Sequence, residues 1–391
     1  MPTLPNALPL LDWPPGALKL VRILSVLPAR TVFTGRCVRA ALQGPVPDDL
    51  EILTEASPEQ VLERLPHSVA VAPRTAMVPV GGARVDVHSL ATGSDLETAL
   101  ATRDLSVNAI AIDPLSKELI DPFGGHEDLA LRRLRPTRIG LYDPLSALRA
   151  CGLVASEGFE PTPAWIAAAR AAAPGITQVT RARVRPELER LLLGSEVEAG
   201  LSLLHTCGLL ELLAPGADPE AARWVALLPE DPLLRLTAWL HGTRTIRILR
   251  RLRYPPRWVD YVELLLRHHP VERHASGYPA RRRLARRSDT LCEDLIELRR
   301  AEIAATGEDL GAQRLLDETR SAIAAVRDAE RRAEERPRLA LDGRAVMAYL
   351  ACQPGPQVGR ALAHLEREVA ADPGLNNVES LHGLLDRWKD A

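Results

Sequence analysis

Nothing in the sequence can assemble a zinc knuckle or a disulfide framework. The five cysteines, Cys37, Cys151, Cys207, Cys292 and Cys352, stand far apart and form no CxxC pair, the spacing on which structural zinc and disulfide-stapled folds depend. A reducing, cytoplasmic setting suits them. A signal-peptide core is equally lacking, because Pro2, Pro5, Pro9, Pro14 and Pro15 interrupt the apolar residues near the start. No membrane span can be built from such a stretch. Bulk charge is lacking too: a formal net charge of -2 argues against coating nucleic acid by overall electrostatics and leaves a local basic groove as the route to a polyanion.

The sequence does hold enough apolar material for more than one core. With 391 residues, 46% hydrophobic and 26% charged, it reads as an ordered globular chain of two or three packed units. Short runs of β-forming residues between turns predict strands at Thr31 to Thr34, Leu50 to Thr54, Ser68 to Val71, Arg84 to Ser89 and Ala109 to Asp113. Helical pieces are expected at Pro15 to Leu27, Cys37 to Gln43 and Ser57 to Arg64, the last with a serine N-cap and proline at the first helical position. After Asp143 the apolar spacing turns helical, with breaks at Gly158, Pro174, Gly194, Pro215, Pro229, Pro255, Pro270 and Pro337, and no strand is expected. The fold class is therefore α+β, a mixed sheet with helices followed by an all-α remainder. Three parts are expected: a head at 1–137, a neck and body at 138–270 and a tail at 271–391. The cationic run from Arg281 to Arg287 reads as a phosphate-binding face or, equally, a solvated one, and Ala322 to Arg338 as an exposed, internally paired connector.

The chemistry is concentrated in the head. Asp49 and Glu51 fall at i and i+2 at the start of a strand, so both carboxylates leave the same face. Two adjacent hard anions suit Mg²⁺. Asp86, between Val85 and Val87 on a later strand, completes such a cage if the two strands are neighbours. An isolated Asp-x-Glu pair is usually just solvated, so context has to decide. That context begins at Thr34, Gly35, Arg36, Cys37, Val38 and Arg39, a strand running through glycine into a helix, where backbone amides and Arg39 can meet phosphates.

The order of these motifs resembles the bacterial tRNA nucleotidyltransferase and poly(A) polymerase family, the CCA-adding type. Its head opens with Gly-Gly-x-Val-Arg-Asp and then Asp-x-Asp, places held here by Gly35 to Ala40 and Asp49 to Glu51. Arg103 to Ala109 is similar to the family's Arg-Asp-Phe-Thr-Ile-Asn-Ala, and Leu119 to Gly125 with Glu127, Asp128 and Leu129 is similar to its Ile-Asp-Pro-Phe-Gly-Gly segment. Asp143, Pro144, Leu145, Leu148 and Arg149 resemble the neck helix, Val179 to Leu193 the Arg-x-Glu-Leu helix after it, and Leu341 to Leu362 the C-terminal segment. The resemblance implies a template-independent enzyme that adds CMP or AMP from CTP or ATP to an RNA 3′ end, most often that of tRNA. It implies Mg²⁺ on Asp49, Glu51 and Asp86, and nucleotide contacts from Gly35, Arg36, Arg39, Arg103, Asp104, Asn108, Asp143, Ser146 and Arg149, with Arg39 and Arg149 on the triphosphate.

The sequence departs from that pattern at defined places. Arg36 replaces the second glycine, Ala40 the aspartate after Val-Arg and Glu51 the second metal aspartate. In the neck helix, Ser146 stands where the family's base-reading arginine is expected, Tyr142 replaces the preceding glutamate and Gly152 another arginine. A serine cannot make the planar two-point contact of a guanidinium. The departures favour a second reading, a catalytically impaired relative that holds RNA. Asp121 reads by itself as a turn residue before Pro122, while the order of motifs favours nucleotide contact; blander readings attach to Gly124 and Gly125 as a tight turn, and to His241, His268 and His269 as satisfied core histidines.

Overall fold

A four-residue run of β-branched and aromatic side chains, Thr-Val-Phe-Thr, has no polar face to offer water, so it belongs in the middle of a sheet. The computed structural model, which describes residues 11–26, 29–44, 46–47, 49–81, 83–137, 143–308, 310–334 and 338–389, places it there as β1 (Thr31–Thr34), buried at every position. Around it the head forms a seven-stranded sheet in the order β3-β4-β5-β2-β1-β6-β7, from β2 (Asp49–Thr54), β3 (Val69–Ala72), β4 (Thr75–Val80), β5 (Ala83–Ser89), β6 (Ala111–Asp113) and β7 (Glu118–Ile120). Only β2 and β5 pair in parallel within it. Helices α1 (Pro15–Leu24), α2 (Arg36–Gln43), α3 (Pro58–Arg64), α4 (Leu96–Ala101) and α5 (Gly125–Ala130) complete the head. Ser57 caps α3 in a capping box with Gln60, satisfying two amides that a helix start leaves open. Trp13 stacks on Phe33 at 4.0 Å between ring centroids. Val32, Leu53, Leu100, Ala109 and Ala111 form a separate buried cluster.

Two strands of this sheet, β4 and β7, lie outside the expected set, and their reasons are local. Pro79 sits in β4, but β3 pairs only with Thr75 to Met77, so the proline that obscures the strand falls past that ladder. The hairpin between β6 and β7 turns at Lys117, a non-glycine at φ 63°, and so carries no glycine signal. The expected strand at Ala109 to Asp113 is shorter, since Ser106–Asn108 form a 3-10 turn before β6. The expectation of no strand after Asp143 is corrected by β9 (Glu160–Pro161), which pairs in parallel with β8 (Arg133–Leu134) as a separate ribbon.

Helices α6 (Pro144–Glu157), α7 (Pro163–Ala172), α8 (Arg181–Leu192), α9 (Val197–Thr206), α10 (Leu209–Leu213), α11 (Ala221–Ala226), α12 (Pro232–Trp239), α13 (Thr245–Arg251) and α14 (Pro256–His268) follow. Asp143 caps α6 through Leu145 N, Pro144 takes the first helical position and Gly158 ends the helix in the left-handed region. Ten of the fourteen α6 side chains are buried, so this helix is a core element with one strip exposed. Residues 1–267 with 304–307 make one unit, and 268–303 with 308–391 a second.

The second unit contains α15 (Val271–His274), α16 (Gly277–Ala285), α17 (Asp289–Thr306), α18 (Leu310–Glu334), α19 (Gly343–Leu350), α20 (Pro356–Ala371) and α21 (Val378–Lys389) as its helical elements. Arg299 meets Glu272, Glu302 and Glu308 there, and His269 is buried against Glu302 at 2.9 Å, the satisfied histidine the sequence suggests. Within the cationic run Arg282 and Arg286 share Glu330 of α18, and Arg281 donates to the Ala275 carbonyl at 3.0 Å. The stretch expected as an exposed, internally paired connector from Ala322 belongs to α18, which begins at Leu310, carries the Arg331 to Asp328 pair at 2.9 Å and is also tied to α16 through Glu330. Pro337 lies outside the described residues. Among the described residues, no helix is long and apolar enough to cross a membrane.

Candidate active site

Parallel register brings the three head carboxylates together. In the β2 and β5 ladder Asp49 stands opposite Arg84, and Glu51 opposite Asp86. Leu50, Ile52, Val85 and Val87 are buried on one side, so the alternation of a strand turns Asp49, Glu51, Arg84, Asp86 and His88 to the other. All but Arg84 line one cavity of about 670 Å³, together with Gly35, Arg36, Arg39, Arg103, Asp104, Asn108, Arg149, Glu157, Glu187 and Arg190. Ten of the twelve residues expected at the site are therefore in one place.

Each carboxylate already has a cation. Arg36 binds Asp49 between two half-exposed side chains, Arg84 grips Asp86 through two hydrogen bonds of 3.0 and 3.1 Å, and Arg103 binds Glu51. His88 adds its Nε2 at 3.3 Å from Glu51 Oε1, while its Nδ1 lies 3.0 Å from Thr75 Oγ1. Burial lowers the His88 pKa and Arg103 lowers it further, against the opposing pull of Glu51, so the ring is held toward its neutral form. Among the described residues no three His, Cys, Asp or Glu side chains converge as a ready-made metal cage. The donor chemistry nevertheless fits a divalent ion: three hard-oxygen groups occupy neighbouring register positions on one face. The exposed pair that engages Asp49 is worth only about 0–1 kcal/mol, little hindrance to exchange.

Glycine is required where β1 hands over to α2. Gly35 has φ 75° and ψ -144°, and a Cβ there would stand 2.2 Å from Glu51 Oε2. The carboxylate therefore occupies space that only glycine leaves open. Arg39, expected at the triphosphate, is 4% exposed and donates to Asn108 Oδ1 and to Glu157 Oε1 at 3.2 Å. Burial pulls its pKa down and Glu157 opposes that shift. Asn108 in turn donates to Asp104 Oδ1 at 3.0 Å. Arg39 thus fixes the 3-10 turn that carries Asn108 to the end of α6.

The neck helix contributes the opposite wall. Arg149, Leu153, Ser156 and Glu157 line the cavity from α6, and Glu187 and Arg190 from α8. Glu187, nearly buried, accepts both Arg149, at 3.3 Å, and Arg190. The two other expected residues fall elsewhere: Asp143 is spent on its capping bond and on Arg183 at 2.9 Å, and Ser146 is buried within α6. Neither lines the cavity, and Tyr142 lies outside the described residues. Sequence reading missed Arg84 and His88, which flank Asp86 at i-2 and i+2 and were legible from strand alternation, and Arg190, three residues past Glu187 on a helix.

Other head residues serve the backbone turn before α5. Asp121 accepts the Gly125 and His126 amides at 2.7 and 2.9 Å, a turn-and-cap role. Gly124 is left-handed, and a Cβ on Gly125 would stand 2.0 Å from Ser106 O. His241 is corrected: it lies exposed beyond α12, edge-on to Trp224 at 5.2 Å, and is not a core histidine.

Comparison with known proteins agrees with this geometry. Residues 82–135 match the poly A polymerase head domain, and residues 158–221 the probable RNA and SrmB-binding site of polymerase A. A CC-adding tRNA nucleotidyltransferase of Shouchella clausii is 32% identical over 231 residues, 57% of this chain and 60% of that protein. An A-adding tRNA nucleotidyltransferase of Deinococcus radiodurans is 29% identical over 76% of this chain and 80% of its own. The match thus spans less than two thirds of the first relative. The crystal structure of the Bacillus stearothermophilus CCA-adding enzyme in complex with CTP is 25% identical, with a TM-score of 0.62 over 97% of this chain and 98% of that one. Over these spans the chain is similar to the bacterial tRNA nucleotidyltransferase and poly(A) polymerase family.

Proposed function

We propose that the chain adds nucleotides, CMP or AMP from CTP or ATP, to the 3′ end of an RNA, tRNA above all. The observation that carries this reading is the register of Glu51 against Asp86, two positions from Asp49, in one cavity with the arginines of α2, α6 and α8. Carboxylates facing guanidiniums across a small space suit a ligand that is itself a polyanion accompanied by cations.

Asp49, Glu51 and Asp86 would hold Mg²⁺, which when bound neutralises phosphate charge and makes an attacking hydroxyl more acidic. In the transfer the RNA 3′-oxygen bonds to the α-phosphorus, the bond from that phosphorus to its bridging oxygen breaks, and pyrophosphate leaves with the electron pair. The hydroxyl proton passes to solvent. Arg36 is the group that an arriving triphosphate competes for, because its present partner Asp49 is exposed and weakly held. Asp104 and Asn108, locked by Arg39, meet the sugar side. With Asp143 turned to Arg183 and Ser146 buried, choice of base falls to Arg149 and Arg190, whose planar donors reach the cavity.

The pairing of every carboxylate with a basic side chain favours a second reading, an impaired relative that holds RNA without turnover. One experiment separates the two. Purified protein is incubated with a divalent ion, tRNA lacking its 3′ nucleotides and each labelled triphosphate, beside Asp49→Ala. Metal-dependent extension that disappears in the variant is expected. Bound tRNA with no extension under any nucleotide would select the impaired relative.

A further inference from the structure

Several arginine clusters elsewhere in the chain come with carboxylates: Arg149 and Arg190 share Glu187, Arg282 and Arg286 share Glu330, and Arg299 meets three glutamates. A second cavity breaks that habit. It encloses about 640 Å³ beyond α10 and along α13, lined by Pro215, Gly216, Gly242, Thr243, Arg244, Arg247, Ile248 and Arg251. No lining residue is acidic. Arg247 and Arg251, four apart, share one face of α13, and Arg244 stands at its N-cap. Their heads are exposed while Ile248 packs inward.

What neutralises them is incomplete. Arg251 donates to the Leu212 and Leu213 carbonyls at 3.2 and 2.7 Å, the open end of α10, a favourable but partial counter-charge. Arg181 is close enough to Arg251 to be felt electrostatically, and spends its own donors on Ile176 O and Thr177 O. Glu211, the carboxylate that touches a lining residue, accepts the Gly216 amide at 3.1 Å. Burial lowers the Arg251 pKa, and Arg181 and Arg247 lower it further, with no acidic group offsetting them. Like charges gathered without an anion cost stability unless a ligand supplies one.

We propose that this arginine-lined cavity is a docking site for backbone phosphates of the RNA acceptor, separate from the cavity where nucleotide transfer would occur. Guanidiniums fork onto phosphate oxygens, and three spread along one cavity, Arg244 at the start of α13 and Arg247 and Arg251 on its face, track a chain of phosphates better than they hold a single ion. The inference rests on the reading that the chain takes RNA.

The test is equilibrium binding of tRNA lacking its 3′ nucleotides across a salt series, comparing wild type, Arg244→Ala with Arg247→Ala, and Arg64→Ala on the head as a control. Arg251 is left in place because it holds α10. The double variant should bind roughly tenfold more weakly, and its slope of log K against log salt should shrink by about 2, near one unit for each phosphate no longer neutralised. The control should keep the wild-type slope, and thermal melts should show all three folded. A double variant with the wild-type slope overturns the proposal. Calorimetric heats with inorganic phosphate that vanish in the double variant, beside an unchanged RNA slope, would assign the cavity to free phosphate and also overturn it. Wild type that binds no RNA at all would instead sink the function proposed above.

Discussion

Asp128 carries the most demanding electrostatic arrangement in the head, and removing it tests how the nucleotide-side turn is held. The side chain is fully buried and accepts Ser106 Oγ at 2.5 Å, Arg133 Nε at 2.6 Å and Arg135 Nη2 at 2.7 Å. Those partners join α5, β8 and the 3-10 turn that ends at Asn108. Asp128→Ala leaves the buried Ser106 hydroxyl without its acceptor and strips one from each guanidinium, with Glu127 remaining to Arg133 and the Phe123 carbonyl to Arg135. Breaking a buried pair costs about 3–5 kcal/mol, and since both arginines reach water the lower end applies, about 3 kcal/mol. For a unit of this size that lowers the first melting transition by roughly 6–12 °C. The arrangement should fail at Ser106–Asn108 before it fails in the sheet, so nucleotide affinity should fall even below the new melting point. Differential scanning fluorimetry with and without CTP reads both effects. A loss under about 1 kcal/mol, or unchanged nucleotide affinity, would refute the claim that Asp128 anchors the turn.

Gly35→Ala combines a backbone conformation costing about 1–3 kcal/mol for a side-chain residue with a clash on Glu51; it should fold, by circular dichroism, yet lose most nucleotide extension, and wild-type extension would contradict the geometry. Burial alone raises the Glu302 carboxyl, but His269 and Arg299 outweigh it and bring it down to about 2 from 4.5. A depressed carboxylate stabilises above its unfolded value, and that stability is lost as pH falls from about 4.5 through the folded pKa near 2. Denaturant melts of Glu302→Gln should accordingly show a flatter decline over this window than wild type, and parallel curves would count against the pairing. Burial pushes the Cys37 thiol up to about 12, so brief alkylation of the native chain at pH 8 should label the partly exposed Cys352 and spare Cys37 by mass spectrometry; equal labelling would contradict its burial.

The strongest sequence signals are those where chemistry and backbone geometry coincide. Asp49, Glu51 and Asp86 were legible because a strand alternates faces and the parallel β2 and β5 ladder lines them up. Ser57 and Gly158 mark their helix ends as expected, whereas Asp143, expected at the nucleotide, caps α6. What escaped reading depends on partners far along the chain. Nothing local says that Arg39 turns inward to Asn108 and Glu157, or that Glu187 gathers Arg149 and Arg190. Ser146 is conspicuous as a substitution, yet only the packing of α6 shows that it is buried away from the cavity. Similarly, α16 and α18 each read as a charged surface until Glu330 is found between Arg282 and Arg286.

The most direct test of the transfer site is the rate of adding a single nucleotide to tRNA under single-turnover conditions. Four variants are compared with wild type: Asp49→Ala, Glu51→Gln, Asp86→Asn and Asp143→Ala. The first three should each lose on the order of 10²-fold or more, because each removes a charge that the transition state needs. Asp143→Ala should keep its rate within a few fold and lose only about 1 kcal/mol of helix-cap stability. Full rates in the three carboxylate variants, or collapse of the Asp143 variant alone, would contradict the assignment of transfer to the β2 and β5 face.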